Sequence, residues 1–212
     1  MIRVISFLVC LVFSITALAQ TGAGEFRDGV HYYQLSQPVS VRQPDKIEVA
    51  EIFRYDCPGC FQFDSTVSKW RDKLPGDVVF EYVPAPLDKL REHYAKAYYT
   101  ARAMGALATV HKVIFEEIHV RRNRLQQPED LAELFAKHGI DQATTLKTYK
   151  SFGVSSQAKQ ADARVKGYGI GSTPSLVVQG KYRIEINNNV KNYDDILAVA
   201  DYLIRKVRAE NG

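Results

Sequence analysis

The sequence predicts an α/β protein in which one α/β domain is interrupted by an all-helical insertion. Segments that favour β-strands lie only toward the two ends of the chain, at 30–35, 47–55, 78–83, 175–179 and 182–186. Segments with helical periodicity fill the stretch between them, at 89–104, 106–120, 128–138, 141–152 and 154–166. We expect breaks between these helices at Gly105, 123–127, Gly139 and Gly153. The α/β domain is therefore assigned to 20–87 and 163–212, and the helical insertion to 88–162.

The second strand and the helix that follows it form the clearest unit. Residues 47–55 are almost continuously apolar, which is typical of a central strand buried on both faces. Cys57 and Pro58 then begin a helix, because proline suits a first helical turn. An apolar stripe at helical spacing continues it through Cys60, Phe63, Val67, Trp70 and Leu74. A hairpin turn at 180–181 and a final amphipathic helix over 194–207 complete the chain.

The composition is that of an ordinary globular protein. The 212 residues are 46% hydrophobic and 25% charged, and 28 basic against 24 acidic side chains give a net charge of +4. This basic excess is too weak to indicate a nucleic-acid partner.

The first nineteen residues have the pattern of a secretion signal. Arg3 precedes an apolar run over 4–18, which ends in Ala17-Leu18-Ala19 directly before Gln20. The run is short for a membrane span, which needs about 20 apolar residues. We expect residues 1–19 to be a cleaved signal peptide; the alternative is an uncleaved membrane anchor.

Only two cysteines remain once that signal is removed, because Cys10 lies within it. Cys57 and Cys60 form a single C-x-x-C, and so short a loop stabilises a fold little when it is closed by a disulfide. Zinc usually requires four ligands, and no further cysteine or paired histidine completes such a set. Redox chemistry is the favoured reading over a zinc site or a structural disulfide, so we expect no metal and no cofactor.

The position of Cys57 at a helix N-terminus has a chemical consequence. Thiol exchange needs a thiolate, and the unpaired N–H groups and positive dipole end of a helix stabilise an anion. Cys57 should therefore have a lowered pKa and act as the attacking sulfur, with the less accessible Cys60 resolving. A stabilised thiolate favours the reduced form and makes the disulfide oxidising.

Three further positions are candidates for the same site. Glu51 lies in the apolar strand and either exchanges a proton with Cys60 and tunes the disulfide, or is a satisfied core acid. Asp64 lies one turn beyond Cys60, where it either tunes the site or simply favours the helix dipole. The segment 171–175 fits a turn, and its Pro174 could also form a cis peptide bond.

These motifs together resemble the DsbA family of thiol:disulfide oxidoreductases. The similar segments are the Asp28-Gly29 region, Glu51-Ile52-Phe53, Cys57-Pro58 with Cys60-x-Gln62-Phe63-Asp64, and Gly171-Ser172-Thr173-Pro174 with the hairpin after it. The resemblance covers nearly all of the chain after residue 19. It implies a thioredoxin fold with a helical insertion, and export to the periplasm of a Gram-negative bacterium.

The resemblance also implies roles for individual residues. Cys57 would be the nucleophile and Cys60 the resolving cysteine; Thr173 and Pro174 would form a cis peptide that binds extended substrates. Glu51 and Asp64 would match buried acidic positions of the family. One departure is Gly59, where the family commonly has histidine, so we expect a less oxidising disulfide than in C-P-H-C members.

The implied partners are exported proteins with free thiols and a quinone-linked membrane reoxidase of the DsbB type. Monomer is the default expectation for the oligomeric state. Two alternatives stay open at this point: a periplasmic disulfide reductase or isomerase, and a peptide-binding chaperone of the same fold.

Overall fold

The structure, a computed structural model, describes residues 26–211. Five strands form one mixed sheet in the order β1-β5-β4-β2-β3. Their bounds are β1 Tyr33–Gln34, β2 Ile47–Phe53, β3 Val78–Pro84, β4 Ser175–Val178 and β5 Tyr182–Glu185. β2 pairs in parallel with β3, and all other pairs are antiparallel.

Seven helices surround this sheet in the part of the chain that the structure describes. Their bounds are α1 Pro58–Arg71, α2 Lys89–Ala103, α3 Leu107–His119, α4 Pro128–Ala136, α5 Gln142–Tyr149, α6 Phe152–Tyr168 and α7 Tyr193–Asn211. The helices α2–α6 follow one another between β3 and β4, so the predicted α/β fold with an all-helical insertion is confirmed. Every residue of β2 is buried, as its apolar sequence predicts.

Two predicted boundaries differ from the structure. The predicted break at Gly153 is wrong, because Gly153 lies in the first turn of α6. The chain breaks instead at 150–151, where the Ser151 side chain accepts a hydrogen bond from the Val154 N–H and caps the helix. The first strand, predicted over 30–35, is reduced to Tyr33–Gln34, which pairs only with β5 at the sheet edge.

The two faces of the sheet carry separate apolar cores. One core joins the insertion helices to Ala50, Ile52 and Phe53 of β2, and it includes Cys60. The other joins α1 and α7 to the opposite face of the sheet, with Phe63 as one of its members. The helix α1 therefore contributes to both cores, which places the start of α1 where the helical block meets the sheet.

A buried ion-pair network connects α6 to the sheet. Arg164 donates hydrogen bonds to Glu48 Oε1 on β2 over 2.5 Å and to Glu81 Oε2 on β3 over 2.7 Å. The predicted boundary between residues 162 and 163 falls inside α6, so this helix belongs in part to each predicted unit. The division into domains itself stays a prediction.

None of the helices formed within residues 26–211 is both long and apolar enough to span a bilayer. The predicted signal peptide at 1–19 and its cleavage site lie outside the described residues.

Candidate active site

The two cysteines lie at the junction between the buried strand β2 and the helix α1. Cys57 is the N-cap residue of α1 and Pro58 occupies the first turn. The Cys60 backbone N–H donates a hydrogen bond to Cys57 Sγ over 3.3 Å. Both cysteines are free thiols, and both are buried, Cys60 completely. The sulfur of Cys57 thus takes the place that a Ser or Asp oxygen usually takes at a helix N-cap.

The pKa of Cys57 is lowered to about 5. The largest cause is a hydrogen bond from the Cys60 thiol, and burial opposes it. The side chain of Thr173, the Cys60 backbone N–H and the positive charge of Arg54 lower the pKa further. The expected thiolate is therefore confirmed in direction, but the helix amide contributes less than the neighbouring thiol.

The pKa of Cys60 shifts in the opposite direction and is strongly raised. Burial is the largest cause, followed by the hydrogen bond that Cys60 makes to Cys57 and by electrostatic interaction with Cys57 and Glu51. At neutral pH the pair therefore holds one thiolate, on Cys57, and one proton, on Cys60. Such a split distinguishes an attacking sulfur from one that needs a proton when it leaves.

Glu51 lies beneath this pair as a fully buried acid. Burial raises its pKa well above the ordinary value, and the charges of Asp64 and Cys57 raise it further. No donor from residues 26–211 hydrogen-bonds to its Oε2 atom. Burial therefore favours the uncharged acid form of Glu51, and one of its carboxyl oxygens has no hydrogen-bond donor among these residues.

The loop before β4 covers the Cys57 sulfur. The Thr173–Pro174 peptide bond is cis, and the Cys57 thiol lies 3.3 Å from the Thr173 carbonyl oxygen. Pro174 is buried against the active-site loop: a Cβ atom added at Gly59 would lie 3.2 Å from Pro174 Cδ. Two segments 116 residues apart thus meet at one sulfur atom.

Asp64 lies beyond the first turn of α1, so a helix-dipole role does not explain it. Its Oδ1 accepts a hydrogen bond from Tyr82 over 3.4 Å and lies 3.3 Å from Nε2 of His111. Tyr82 is the β3 residue in register with Glu51 of β2. Asp64 therefore belongs to a polar cluster beside Glu51, and a cavity of about 500 Å³ is lined by Asp64, Tyr82 and His111.

Tyr193, the first residue of α7, also touches the C-x-x-C. Its hydroxyl donates a hydrogen bond to the Gly59 carbonyl oxygen over 2.9 Å. No sequence signal indicated this residue, because it lies 134 positions from Gly59. Arg54, by contrast, lies three residues before Cys57, so its position in the sequence is a signal for a role near that thiol.

Within residues 26–211, no group of three or more His, Cys, Asp or Glu side chains is arranged to hold a metal ion.

A thiol pair with opposite pKa shifts, at a strand–helix junction and against a cis-proline, defines a dithiol–disulfide redox protein. Comparison with known proteins narrows this class. Residues 91–198 match the family model described as a DSBA-like thioredoxin domain. The chain belongs to the DsbA family of thiol:disulfide oxidoreductases.

Individual relatives support the same assignment over most of the chain. It is 38% identical to the thiol:disulfide interchange protein DsbA of Pseudomonas aeruginosa, covering 88% of each protein, and 41% identical to that of Azotobacter vinelandii, covering 87% of this chain and 86% of the relative. A crystal structure of Pseudomonas aeruginosa DsbA superposes with a TM-score of 0.84 at 38% identity, covering 88% of this chain and 96% of that one. The oxidoreductase DsbA from Xylella fastidiosa gives 0.79 at 30% identity, with coverage of 84% and 96%.

The resemblance stated from the sequence and the thioredoxin fold that it implied are thereby confirmed. The predicted activity is confirmed as well: the chain is an enzyme of disulfide interchange that acts on the thiols of protein substrates.

Proposed function

We propose that this protein oxidises pairs of thiols in exported proteins with a disulfide between Cys57 and Cys60. The observation that carries the proposal is the opposite pKa shift of the two cysteines. A Cys57 pKa of about 5 makes Cys57 the better leaving group at neutral pH, and it stabilises the reduced form of the enzyme. An enzyme whose reduced form is stabilised has an oxidising disulfide, which it tends to transfer to substrate thiols.

The reaction proceeds in two exchanges. A substrate thiolate attacks Cys57 Sγ of the oxidised enzyme, the Cys57–Cys60 bond breaks, and the electron pair leaves on Cys60. The substrate is then joined to Cys57 in a mixed disulfide. A second substrate thiolate attacks the substrate sulfur of that bond and releases Cys57 as a thiolate. The substrate has lost two electrons, and the enzyme dithiol has gained them.

Glu51 supplies the proton that the first exchange requires. The Cys60 thiolate is strongly basic, because its pKa is raised by burial above all. Glu51 is buried, burial favours its protonated form, and it is close enough to raise the pKa of Cys60, so it can protonate the departing sulfur. Asp64 would tune this step, since its negative charge contributes to the raised pKa of Glu51.

Thr173 and Pro174 would bind the substrate segment next to its cysteine. The Thr173 backbone lies against Cys57, and its short loop leads directly into β4. A peptide whose sulfur is bonded to Cys57 must therefore pass this loop, where backbone groups can pair with an extended chain. Pro58 and Gly59 complete the active-site loop.

In the cell we propose export to the periplasm with cleavage after Ala19, function as a monomer, and reoxidation by a quinone-linked membrane protein of the DsbB type. The family assignment and the signal pattern at 1–19 support export. A reoxidant is needed for turnover, because every catalytic cycle leaves two electrons on the enzyme.

Trapping of the mixed disulfide tests the residue roles. The reduced Cys60→Ala variant is mixed with a peptide that contains a disulfide. It should accumulate a mixed disulfide in which the peptide is bonded to Cys57. The matched Cys57→Ala variant should form none, as read by non-reducing electrophoresis and peptide mass mapping. A Cys57→Ser variant that retains full activity would instead favour a peptide-binding chaperone.

The redox state in cells separates an oxidase from a reductase or isomerase. Acid quenching followed by thiol alkylation should show Cys57 and Cys60 predominantly as a disulfide. A predominantly reduced pair would indicate a reductase or isomerase kept reduced by another donor.

A further inference from the structure

The N-terminus of α7 reaches the active-site loop through one side chain that the mechanism above does not use. The hydroxyl of Tyr193 lies 2.9 Å from the Gly59 carbonyl oxygen, to which it donates, and 3.3 Å from Gln62 Oε1. Its ring packs against Phe63 with 5.0 Å between the ring centroids, so the phenol is held toward the loop.

The peptide unit that receives this hydrogen bond is the one that serves the nucleophile. The carbonyl of Gly59 and the N–H of Cys60 belong to the same planar amide group. That N–H donates to Cys57 Sγ over 3.3 Å. A continuous chain therefore runs from the Tyr193 hydroxyl, through the Gly59–Cys60 amide, to the sulfur of Cys57.

Hydrogen bonds arranged in such a chain strengthen one another. A donor at the carbonyl oxygen polarises the amide, and its N–H becomes a better donor to an anion, by roughly 10–30% per bond. The bond also fixes the plane of the amide, because the peptide cannot rotate its N–H away from the sulfur without losing the phenol.

Residue 59 lies between the Tyr193 phenol and the cis-proline loop. A Cβ atom there would lie 3.5 Å from the Tyr193 hydroxyl and 3.2 Å from Pro174 Cδ. Any larger side chain would have to share the space between the phenol and the cis-proline loop. A side chain at this position would therefore lie directly beside the hydroxyl of Tyr193.

We propose that Tyr193 is a positioning residue for the nucleophile, which it holds and polarises through the Gly59–Cys60 peptide. The inference rests on the proposed role of Cys57. The phenol remains a donor at neutral pH, because burial first, and the charges of Cys57 and Cys60 after it, raise the Tyr193 pKa. In this chain a hydroxyl from a distant helix thus supports the thiolate.

The test compares Tyr193→Phe with Tyr202→Phe. Phenylalanine keeps the ring against Phe63 and removes only the hydroxyl. Tyr202 lies on the same helix, about 13 Å further along at 1.5 Å per residue, and packs on Phe26 away from the site. Thiolate absorbance at 240 nm against pH gives the Cys57 pKa, and equilibration with glutathione gives the redox equilibrium.

We expect Tyr193→Phe to raise the Cys57 pKa by roughly 0.3 unit and to move the glutathione equilibrium roughly twofold toward the protein disulfide. Tyr202→Phe should change neither. A residue that only packs would affect unfolding of the oxidised and reduced forms alike and would leave both readouts unchanged. If the Cys57 pKa of Tyr193→Phe lies within about 0.1 unit of the value in the parent protein, the inference is overturned.

Titration of Cys57 in the parent protein distinguishes failure of this inference from failure of the proposed function. If Cys57 in the unaltered chain titrates like a free thiol, the nucleophile assignment is wrong. If it titrates near the low value and Tyr193→Phe does the same, only the role of Tyr193 is lost.

Discussion

Several groups around the sulfur of Cys57 lower its pKa, whereas burial raises it. The Cys60 thiol contributes most to the lowered pKa, followed among the favourable groups by the Thr173 side chain, the Cys60 N–H and Arg54. Three of these groups come from the strand–helix junction, and Thr173 comes from the loop before β4. The nucleophile is therefore set by side chains and backbone from two distant parts of the chain.

The lowered pKa makes the stability of the reduced enzyme depend on pH. The folded thiol has a pKa of about 5 against 9.0 for an unperturbed one, so the stabilisation is present above pH 9 and is lost as pH falls through 5. Between pH 7 and pH 4 the reduced form should lose roughly 1–2 kcal/mol relative to the oxidised form, allowing for solvent screening. Denaturant unfolding of both forms at the two pH values measures this difference, and parallel curves would contradict it.

Gly59 removes a side chain that could support the same thiolate. A Cβ atom at this position lies 3.8 Å from Cys57 Sγ, so an imidazole built on it can approach the sulfur. We expect Gly59→His to shift the glutathione equilibrium about tenfold toward the dithiol, since a hydrogen bond to a charged group contributes about 1.5 kcal/mol. Gly59→Ala is the control, because it adds the Cβ atom without a donor. Equal equilibria for the two variants would show that the dipeptide does not control the potential here.

We expect Glu51 to affect the rate of disulfide exchange rather than the ionisation of Cys57 in the resting enzyme. Because burial favours the uncharged acid, Glu51→Gln preserves the shape of that form and removes the transferable proton. Attack of a thiol peptide on the oxidised enzyme, followed by stopped-flow fluorescence, should slow roughly tenfold or more. An unchanged rate would return Glu51 to the status of a core residue.

At the scale of elements, α6 is joined to the sheet by charge as well as by apolar packing. Burial opposes ionisation of Glu81, yet its pKa is lowered, chiefly by Arg164. Glu48 is only 2% exposed, and Arg164 also bonds Tyr168 within α6. The network therefore connects the last insertion helix with two neighbouring strands, one of which leads into the active site.

Removal of the guanidinium should be costly, because the buried Glu48 carboxylate loses the cation with which it pairs, although Glu81 keeps its ion pairs with Arg42 and Arg102. We expect Arg164→Met to lower the free energy of unfolding by roughly 3–5 kcal/mol. Lys159→Met, at an exposed position of the same helix, should change it by less than about 0.5 kcal/mol. Thermal and denaturant unfolding compare the two variants, and a similar small effect in both would show that the pair is dispensable.

At the scale of the whole molecule, the insertion helices cover one face of the sheet and α1 with α7 cover the other. The active site lies at the start of α1, which contributes to both cores. This arrangement brings the helical block, the cis-proline loop and the N-terminus of α7 around one thiol pair. The site therefore depends on packing of the complete fold rather than on a local motif.

Export of the protein depends on the segment at 1–19. Expression in a bacterium should yield a mature protein that begins at Gln20 in the periplasmic fraction, as determined by intact mass and N-terminal sequencing. Replacement of Ala19 by a bulky residue should block cleavage and leave the protein attached to the membrane fraction. A mature protein that retains residues 1–19 would support the uncleaved anchor.

Local patterns were sufficient for most elements of this protein. The continuous apolar run at 47–55, proline after Cys57 and the helical spacing of Phe63 and Val67 are short-range signals, and the structure agrees with them. Gly153 misled the prediction, because glycine is a weak helix breaker and the Ser151 cap determines where α6 begins.

The chain by itself determined the chemistry, because a C-x-x-C after a buried strand and before a helix can be recognised within about ten residues. Tertiary structure alone decided which groups act on that thiol pair. Thr173 and Tyr193 lie 116 and 134 residues from their partners, and Asp64 faces His111 of the insertion. Such contacts have no local pattern, since the packing of remote elements creates them, and their distances and burial determine each pKa.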